Sequence, residues 1–437
     1  MKSITELNPA QQHQIQQWHE PTWLLVHQQL PSQWEQLAHQ SRALLRCRKV
    51  NGATALLRSI FAYVLRDWSL RMVGAWACLE GLADLSDVAW LYRFRQCQTW
   101  LGLLLGQLLQ ERNAELCQLG GVRLRILDAT VITQPGSQGT DWRLHLSFDL
   151  GRMSMDGVEI TDAHGGESLL RFAPRADEIY VGDRAYATPA GLGYLLVGAA
   201  RCVVRISWSN PALYTPSGER LDLIGWLRSL SQRGEREVQL STPRGTYTLR
   251  LIACPLPSEQ AAQARERVSK QASKKGKTVH PNTWWAAGYI LLLSNLPSQS
   301  WEASRVLWVY RVRWQIELQF KRLKSLLHLD QLRAHDPRLA QTYLLGKLLA
   351  ALLLERWVQQ VEVQHTDLFA SLQRPVSLWR LQTMLWASLC DALVGRFSLA
   401  QVLAAMPSLA RYLCDPPRTR TQQLAWARRF FARLSGI

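Results

Sequence analysis

The sequence predicts an α/β protein: a mixed sheet with helices packed on it, interrupted by a β-rich insertion and flanked by two helical regions. Three observations carry this. Apolar residues recur at intervals of three and four through the first 120 residues, alternate in short runs from residue 121, and return to helical spacing after residue 301. A chain of 437 residues, 47 % of them apolar, is too long for one simple core and has ample material for two or three domains.

Trp18, Trp23, Trp34, Leu44, Leu45 and the run ATALLRSIFAYVLRDW hold helical spacing. Asp84 and Ser86 precede DVAWLYRFRQCQTWL as candidate caps. Two helices joined tightly around EGLADLSD fit a helix-turn-helix about as well as a plain bundle, with Arg93 and Arg95 on the second helix. VRLRIL, LHLSFDL and GVEIT then read as three strands able to form an antiparallel meander. GGESLLRF reads as a short helix that Glu167 starts, EIYVGD as a strand, TPAGLGYLLVGAA as a helix and RCVVRI as a strand. Residues 208–300 bring the hairpin EVQLSTPRGTYTLRLIA, the basic helix or tongue EQAAQARERVSKQASKKGK and the strand GYILLLSNL. Helices follow, ending on the turn DPPRTR and the basic amphipathic run AWARRFFARL. The expected organisation is a helical region over 1–120, the first part of a mixed-sheet core over 121–207, the β-rich insertion over 208–300, the end of the core over 301–360, and a basic helical region over 361–437.

A net charge of +17 and a pI near 9.9 point to a polyanionic partner, nucleic acid before membrane. The eight cysteines lie far apart with no C-x-x-C pair, which argues against a zinc site and a disulfide framework and for a reducing cytoplasm. MKSITELNPAQQ lacks the apolar core of a signal peptide. The richest apolar run, YLLGKLLAALLLE, is short and holds Lys347, so it reads as a buried helix and not a membrane span.

The stretch YRVRWQIELQFKRLK carries a crowd of cations around one acid, Glu317. At helical spacing Tyr310, Arg313, Glu317 and Lys324 fall within an arc of roughly 60°. By itself this stripe is equally an exposed face with an Arg313–Glu317 salt bridge. Two further acids, Asp128 after VRLRIL and Asp183 after EIYVG, should project from strand ends; there they could be simple turn formers. His145, His164 and His328 show no metal-ligand spacing, and GLGYLLVG lacks the phosphate-loop pattern.

The intervals Y-x2-R-x3-E-x6-K, kept intact at Tyr310, Arg313, Glu317 and Lys324, resemble the signature of the insertion-sequence DDE transposases of the family numbered four. The likeness extends to LDAT at Asp128, WRLHLSFDL, TDAHGGESLLRF, YVGDRAYAT at Asp183 and YILLLSNLP, and so covers residues 120–335. It implies a ribonuclease-H-like sheet whose last acid is reached only after an insertion. It also implies that Asp128, Asp183 and Glu317 are the catalytic residues and the ligands of Mg²⁺ or Mn²⁺, two ions per site. Hard carboxylate oxygens suit those ions, and a pair of ions about 4 Å apart serves both the attacking and the leaving oxygen of phosphodiester transfer.

The resemblance assigns Tyr310, Arg313 and Lys324 to DNA next to the cleaved bond. Trp284 and Trp285 are candidates to stack on a flipped base, against an alternative of core packing that the sequence favours slightly. Lys270, Lys274, Lys275 and Lys277 read as phosphate contacts or as a solvated loop. The expected activity is cut-and-paste transposition on double-stranded DNA: binding of terminal inverted repeats, end cleavage and strand transfer into a target, by a homodimer on DNA. Two alternatives use the same fold: a catalytically silent DNA-binding regulator, and a stand-alone ribonuclease-H-like nuclease.

Overall fold

In the computed structural model, residues 23–413 are described apart from 48, 115–121, 177, 373–375 and 396–398. The expectations for Trp18, Cys117, Cys414, DPPRTR and AWARRFFARL lie outside the described residues. Two compact units emerge, one built from residues 109–331 and the other from the segments before and after it. The sheet-bearing unit runs to Gln331, and the helical segments before and after it group together in the other unit.

In the helical unit, Trp34–Gln40 (α1), Gly52–Leu65 (α2), Leu70–Leu79 (α3) and Asp87–Phe94 (α4) follow the apolar spacing, and the chain leaves the unit within Gln98–Ala114 (α5). Ser69 and Ser86 cap α3 and α4, each side-chain oxygen accepting from a backbone N–H at 3.3 Å. Asp84 caps nothing; it accepts from the Tyr412 hydroxyl at 2.7 Å and pairs with Arg411. Arg95 is engaged in an ion pair of 2.9 Å with Asp336.

The sheet unit grows from Leu124–Ile132 (β1), Trp142–Asp149 (β2) and Ser154–Asp162 (β3), an antiparallel meander with Asp128 opposite Leu146 and Leu146 opposite Val158. Ile179–Gly182 (β4) pairs parallel with β1, and Arg201–Arg205 (β5) parallel with β4. Such strands are covered on both faces, and Ile179, Tyr180 and Val181 are all buried. Pro189–Val197 (α6) is the crossover, capped by Thr188. The strand order 3-2-1-4-5 is that of a ribonuclease-H-like core.

Leu223–Ser229 (α7) leads into Gly234–Thr242 (β6) and Gly245–Pro255 (β7). Their two-residue turn works because Gly245 takes φ of +124°, a conformation closed to most side chains. Ser258–Lys274 (α8) and Pro281–Ala286 (α9) precede Tyr289–Ser294 (β8). The insertion is not a separate sheet: β8 pairs antiparallel with β5, β7 with β8 and β6 with β7, giving eight strands in the order 3-2-1-4-5-8-7-6.

The helix expected around YRVRWQIELQFKRLK is two helices, Ala303–Arg311 (α10) and Trp314–Leu327 (α11). Between them the backbone tightens to i,i+3 bonds, Gln315 N–H to Val312 O at 3.0 Å and Ile316 N–H to Arg313 O at 3.2 Å. Back in the helical unit lie Pro337–Gln364 (α12), Thr366–Ser371 (α13), Leu378–Val394 (α14) and Leu399–Leu413 (α15). Lys347 is buried in α12 over the Tyr343 ring and 3.6 Å from Asp67. No helix among the described residues is long and apolar enough to cross a membrane.

Candidate active site

Asp128 is not at a strand end, as the sequence suggested, but is the fifth of the nine residues of β1. Its neighbour is fixed by register. Ile126 pairs with Val181 across the parallel β1–β4 ladder, so continuing that register by two residues brings Asp128, in the middle of β1, beside Asp183, just past the carboxyl end of β4. That edge is where open α/β sheets bind ligands. Asp183 leaves β4 directly, and its Oδ1 accepts the Ala185 N–H at 2.8 Å, capping the 3-10 turn Arg184–Tyr186.

The third acid arrives on α11, which packs against β1. Glu317 sits in its first turn with half of its side chain exposed, while the Asp128 side chain is 17 % exposed. Arg313 joins them: Nη1 donates to Asp128 Oδ2 at 3.0 Å and the other terminal nitrogen pairs with Glu317. The i,i+4 salt bridge is thus present, but the same guanidinium reaches across to the sheet.

Burial pushes the Asp128 carboxyl up to about 6; the Ala129 N–H and Arg313 oppose this, and the charges of Asp183 and Glu317 add to it. These three acids therefore share one electrostatic basin. Arg313 stays above its ordinary range despite burial because Tyr310, Asp128 and Glu317 surround it. Tyr310 lies in the last turn of α10 and Lys324 in the last turn of α11, both half-buried.

Among the described residues no three His, Cys, Asp or Glu side chains converge on a single ion position, and between Asp128 and Glu317 the cation in place is the Arg313 guanidinium. The donor chemistry nevertheless fits a hard divalent ion, since carboxylate oxygens surround the basin. One buried polar atom lies in the reach of these charges. The Tyr186 side chain is 1 % exposed, its hydroxyl has no hydrogen-bond partner, and the acids around it are Asp128, Glu167 and Asp183.

Glu167 and Tyr186 escape the sequence reading. GGESLLRF makes only a single 3-10 turn, Leu169–Arg171, and Ser168 caps it, its Oγ accepting the Leu170 N–H at 3.1 Å. Glu167 precedes that cap, half-buried, with its carboxyl raised first by burial and then by Asp183 and Asp128. The available signal was position: Glu167 follows two glycines in one block, and Tyr186 stands three residues after Asp183.

The insertion residues separate. Trp285 is half-buried, stacked on Tyr289 at 5.1 Å and packed on the core. Trp284 is 43 % exposed, with the Arg265 guanidinium 4.5 Å from its ring centre. Lys274 and Lys275 are exposed at the end of α8, and Lys270 pairs with Glu266 at 2.6 Å. Trp308 and Trp314, beside Tyr310 and Arg313, are more than half exposed. His145 is buried against Thr161 Oγ1 at 3.0 Å, and His328 ends α11 in the left-handed conformation.

Residues 120–353 match the family model described as the transposase DDE domain. The chain is 40 % identical over 344 residues to the putative transposase InsL of insertion sequence element IS186A from Escherichia coli K12, covering 77 % of this chain and 93 % of that one. It is also 40 % identical over 345 residues to the transposase for insertion sequence element IS421 from Escherichia coli, with the same two shares. Among solved structures, the piggyBac transposase synaptic complex with hairpin DNA superimposes with a TM-score of 0.45 and 11 % identity, over 90 % of this chain and 84 % of that one.

Proposed function

The chain belongs to the DDE transposases of insertion sequences, and we propose that Asp128, Asp183 and Glu317 are the three carboxylates through which this DNA transposase cleaves and joins DNA. The observation that carries the assignment is the β1–β4 register, which sets Asp128 beside Asp183, together with the single guanidinium that ties Asp128 to Glu317. The family depends on divalent metal, and here the ion is Mg²⁺ or Mn²⁺, two per site, held by these acids. When bound, the ions supply an activated hydroxyl nucleophile and neutralise the departing oxygen.

The protein's own part is positioning. Arg313 and Lys324 hold phosphates flanking the reacting bond, with Tyr310 keeping the backbone close. In this role Arg313 has to leave Asp128 and Glu317, so the guanidinium moves from carboxylates to phosphate. Trp284 and Trp314 offer exposed rings for stacking on unpaired bases; Trp285, stacked on Tyr289, is a weaker candidate. Lys274 and Lys275 contact phosphates without sequence preference.

The DNA is the double-stranded terminal inverted repeat of its own element and then a target, handled by a homodimer in the bacterial cytoplasm. Incubating the protein with a fragment bearing candidate ends and Mg²⁺ or Mn²⁺, beside Asp183→Ala, tests this. End cleavage followed by joining, lost in the variant, is the expected result. Hydrolysis without joining would indicate a nuclease, and binding alone a regulator.

A further inference from the structure

We propose that Glu167 is a fourth carboxylate of the cation site, completing the ligand set on the Asp128–Asp183 side, and that the Tyr186 hydroxyl is the donor that positions it. This rests on the reading of Asp128 and Asp183 as metal ligands.

The segment carrying Glu167 is pinned on both sides. Ahead of it, the Gly165 carbonyl accepts from Arg143 Nη1 at 3.2 Å, and Arg143 belongs to β2, opposite Val131 of β1. The Gly166 carbonyl accepts from Arg171 at 2.9 and 2.7 Å. Behind it, Leu169 is fully buried, and its Cβ lies 3.1 Å from the point where a Cβ on Gly191 would fall. Gly191 is in the first turn of α6, the helix that Asp183 and Tyr186 lead into. An anchored loop of this kind delivers Glu167 to the mouth of β1 and β4.

Tyr186 is the independent observation. Its ring packs in one cluster with Leu127, the residue before Asp128, and with Leu169. A phenol hydroxyl buried with no partner costs free energy unless something in the working state bonds it. The charges of Asp128, Glu167 and Asp183 all act on that hydroxyl, and among the described residues Glu167 makes no hydrogen bond, whereas Asp128 holds the Ala129 N–H and Arg313 and Asp183 holds the Ala185 N–H. Charge agrees as well. Three carboxylates leave two divalent ions with one surplus positive charge, and a fourth brings the set to neutrality before the phosphate arrives.

The test is Mn²⁺ uptake by the full chain, read from the electron paramagnetic resonance of free Mn²⁺. The wild type is compared with Glu167→Gln, Glu167→Asp, Tyr186→Phe and Asp183→Asn, each with a melting curve to confirm folding. Glu167→Gln should weaken uptake about tenfold or more, with Glu167→Asp between it and the wild type. Tyr186→Phe should melt no lower than the wild type while also weakening uptake. If Asp183→Asn weakens uptake and both Glu167 variants match the wild type, the fourth carboxylate is refuted and the three-acid site stands. If Asp183→Asn also matches the wild type, the site reading itself fails. A Tyr186→Phe protein that melts higher with unchanged uptake removes the positioning role.

Discussion

Arg313 Nη1 lies 3.0 Å from Asp128 Oδ2, a contact made across 185 residues of sequence, and the same guanidinium pairs with Glu317. It is a resident cation between two acids assigned to a divalent ion, so ion and guanidinium compete for the same oxygens. Arg313→Ala is therefore expected to take up Mn²⁺ more tightly than the wild type in the absence of DNA, by about tenfold if one ion pair of roughly 1.4 kcal/mol is removed. The same variant should lose end cleavage by about 100-fold, because the phosphate is no longer positioned. Titration without DNA and cleavage with DNA would move in opposite directions.

Gly182 and Tyr186 make a second prediction. A Cβ added at Gly182 would fall 2.9 Å from the Cβ of Tyr186, closer than packed atoms tolerate. The chain turns sharply at Asp183 so that Tyr186 folds back over β4. Gly182→Ala must displace either the turn or the ring, at a cost of about 1–3 kcal/mol. Thermal melting should show the loss, and Mn²⁺ uptake should fall with it because Asp183 rides on the same turn.

Much of this was legible in the sequence. The meander, the crossover and the hairpin stand where alternation and turn residues put them, since both follow from local rules. The spaced signature singles out Glu317 and the blocks around it single out Asp128 and Asp183, while the closeness of Asp128 to Asp183 follows from a parallel register that no local pattern records. Asp128 lies mid-strand because VRLRIL continues through DATVI, residues whose partial exposure hides their strand character. The insertion joins the main sheet because β8, which begins at Tyr289, long after β5 ends at Arg205, pairs antiparallel with it, Arg205 opposite Leu292. The helix expected to start at Glu167 is a 3-10 turn capped by Ser168, because the segment is held by side-chain contacts to its carbonyls and not by a helical run of its own.

The far end of the same strands holds an example of partners that sequence cannot show. Arg123 and Arg125, both in VRLRIL, are buried with Asp149, Asp156 and Glu178, at distances from 2.7 to 3.5 Å. Removing one member of such a cluster strands its counter-charges without water. Arg125→Ala is expected to destabilise the sheet unit by about 3–5 kcal/mol in denaturant unfolding.

His145 gives the pH dependence. Burial first, then the charges of Arg171 and Arg143, lower its pKa from 6.5 to about 4 in the folded chain. Unfolding releases it to titrate normally, so the unfolded state binds the extra proton between these values. The neutral ring's contribution is complete above about pH 6.5 and is lost as the pH falls towards 4. Asp128, raised to about 6, acts in the opposite sense over the same window, so the ring is isolated by difference: as the pH falls from 6.5 towards 4 the melting temperature of the wild type should fall relative to that of His145→Gln.

Lys274 and Lys275 distinguish a DNA surface from a merely solvated loop. Both are exposed at the end of α8, and among the described residues neither forms an ion pair. If they contact phosphates, binding releases about one counterion for each, and the slope of log K against log salt depends on that number. Replacing both by Ala should flatten the slope by about 2 and weaken specific and nonspecific DNA alike. An unchanged slope would assign them to solvent. Trp284→Ala is the complementary variant, because stacking on a base carries no counterion release: affinity should fall by about 1–3 kcal/mol for DNA with unpaired bases while the slope stays constant.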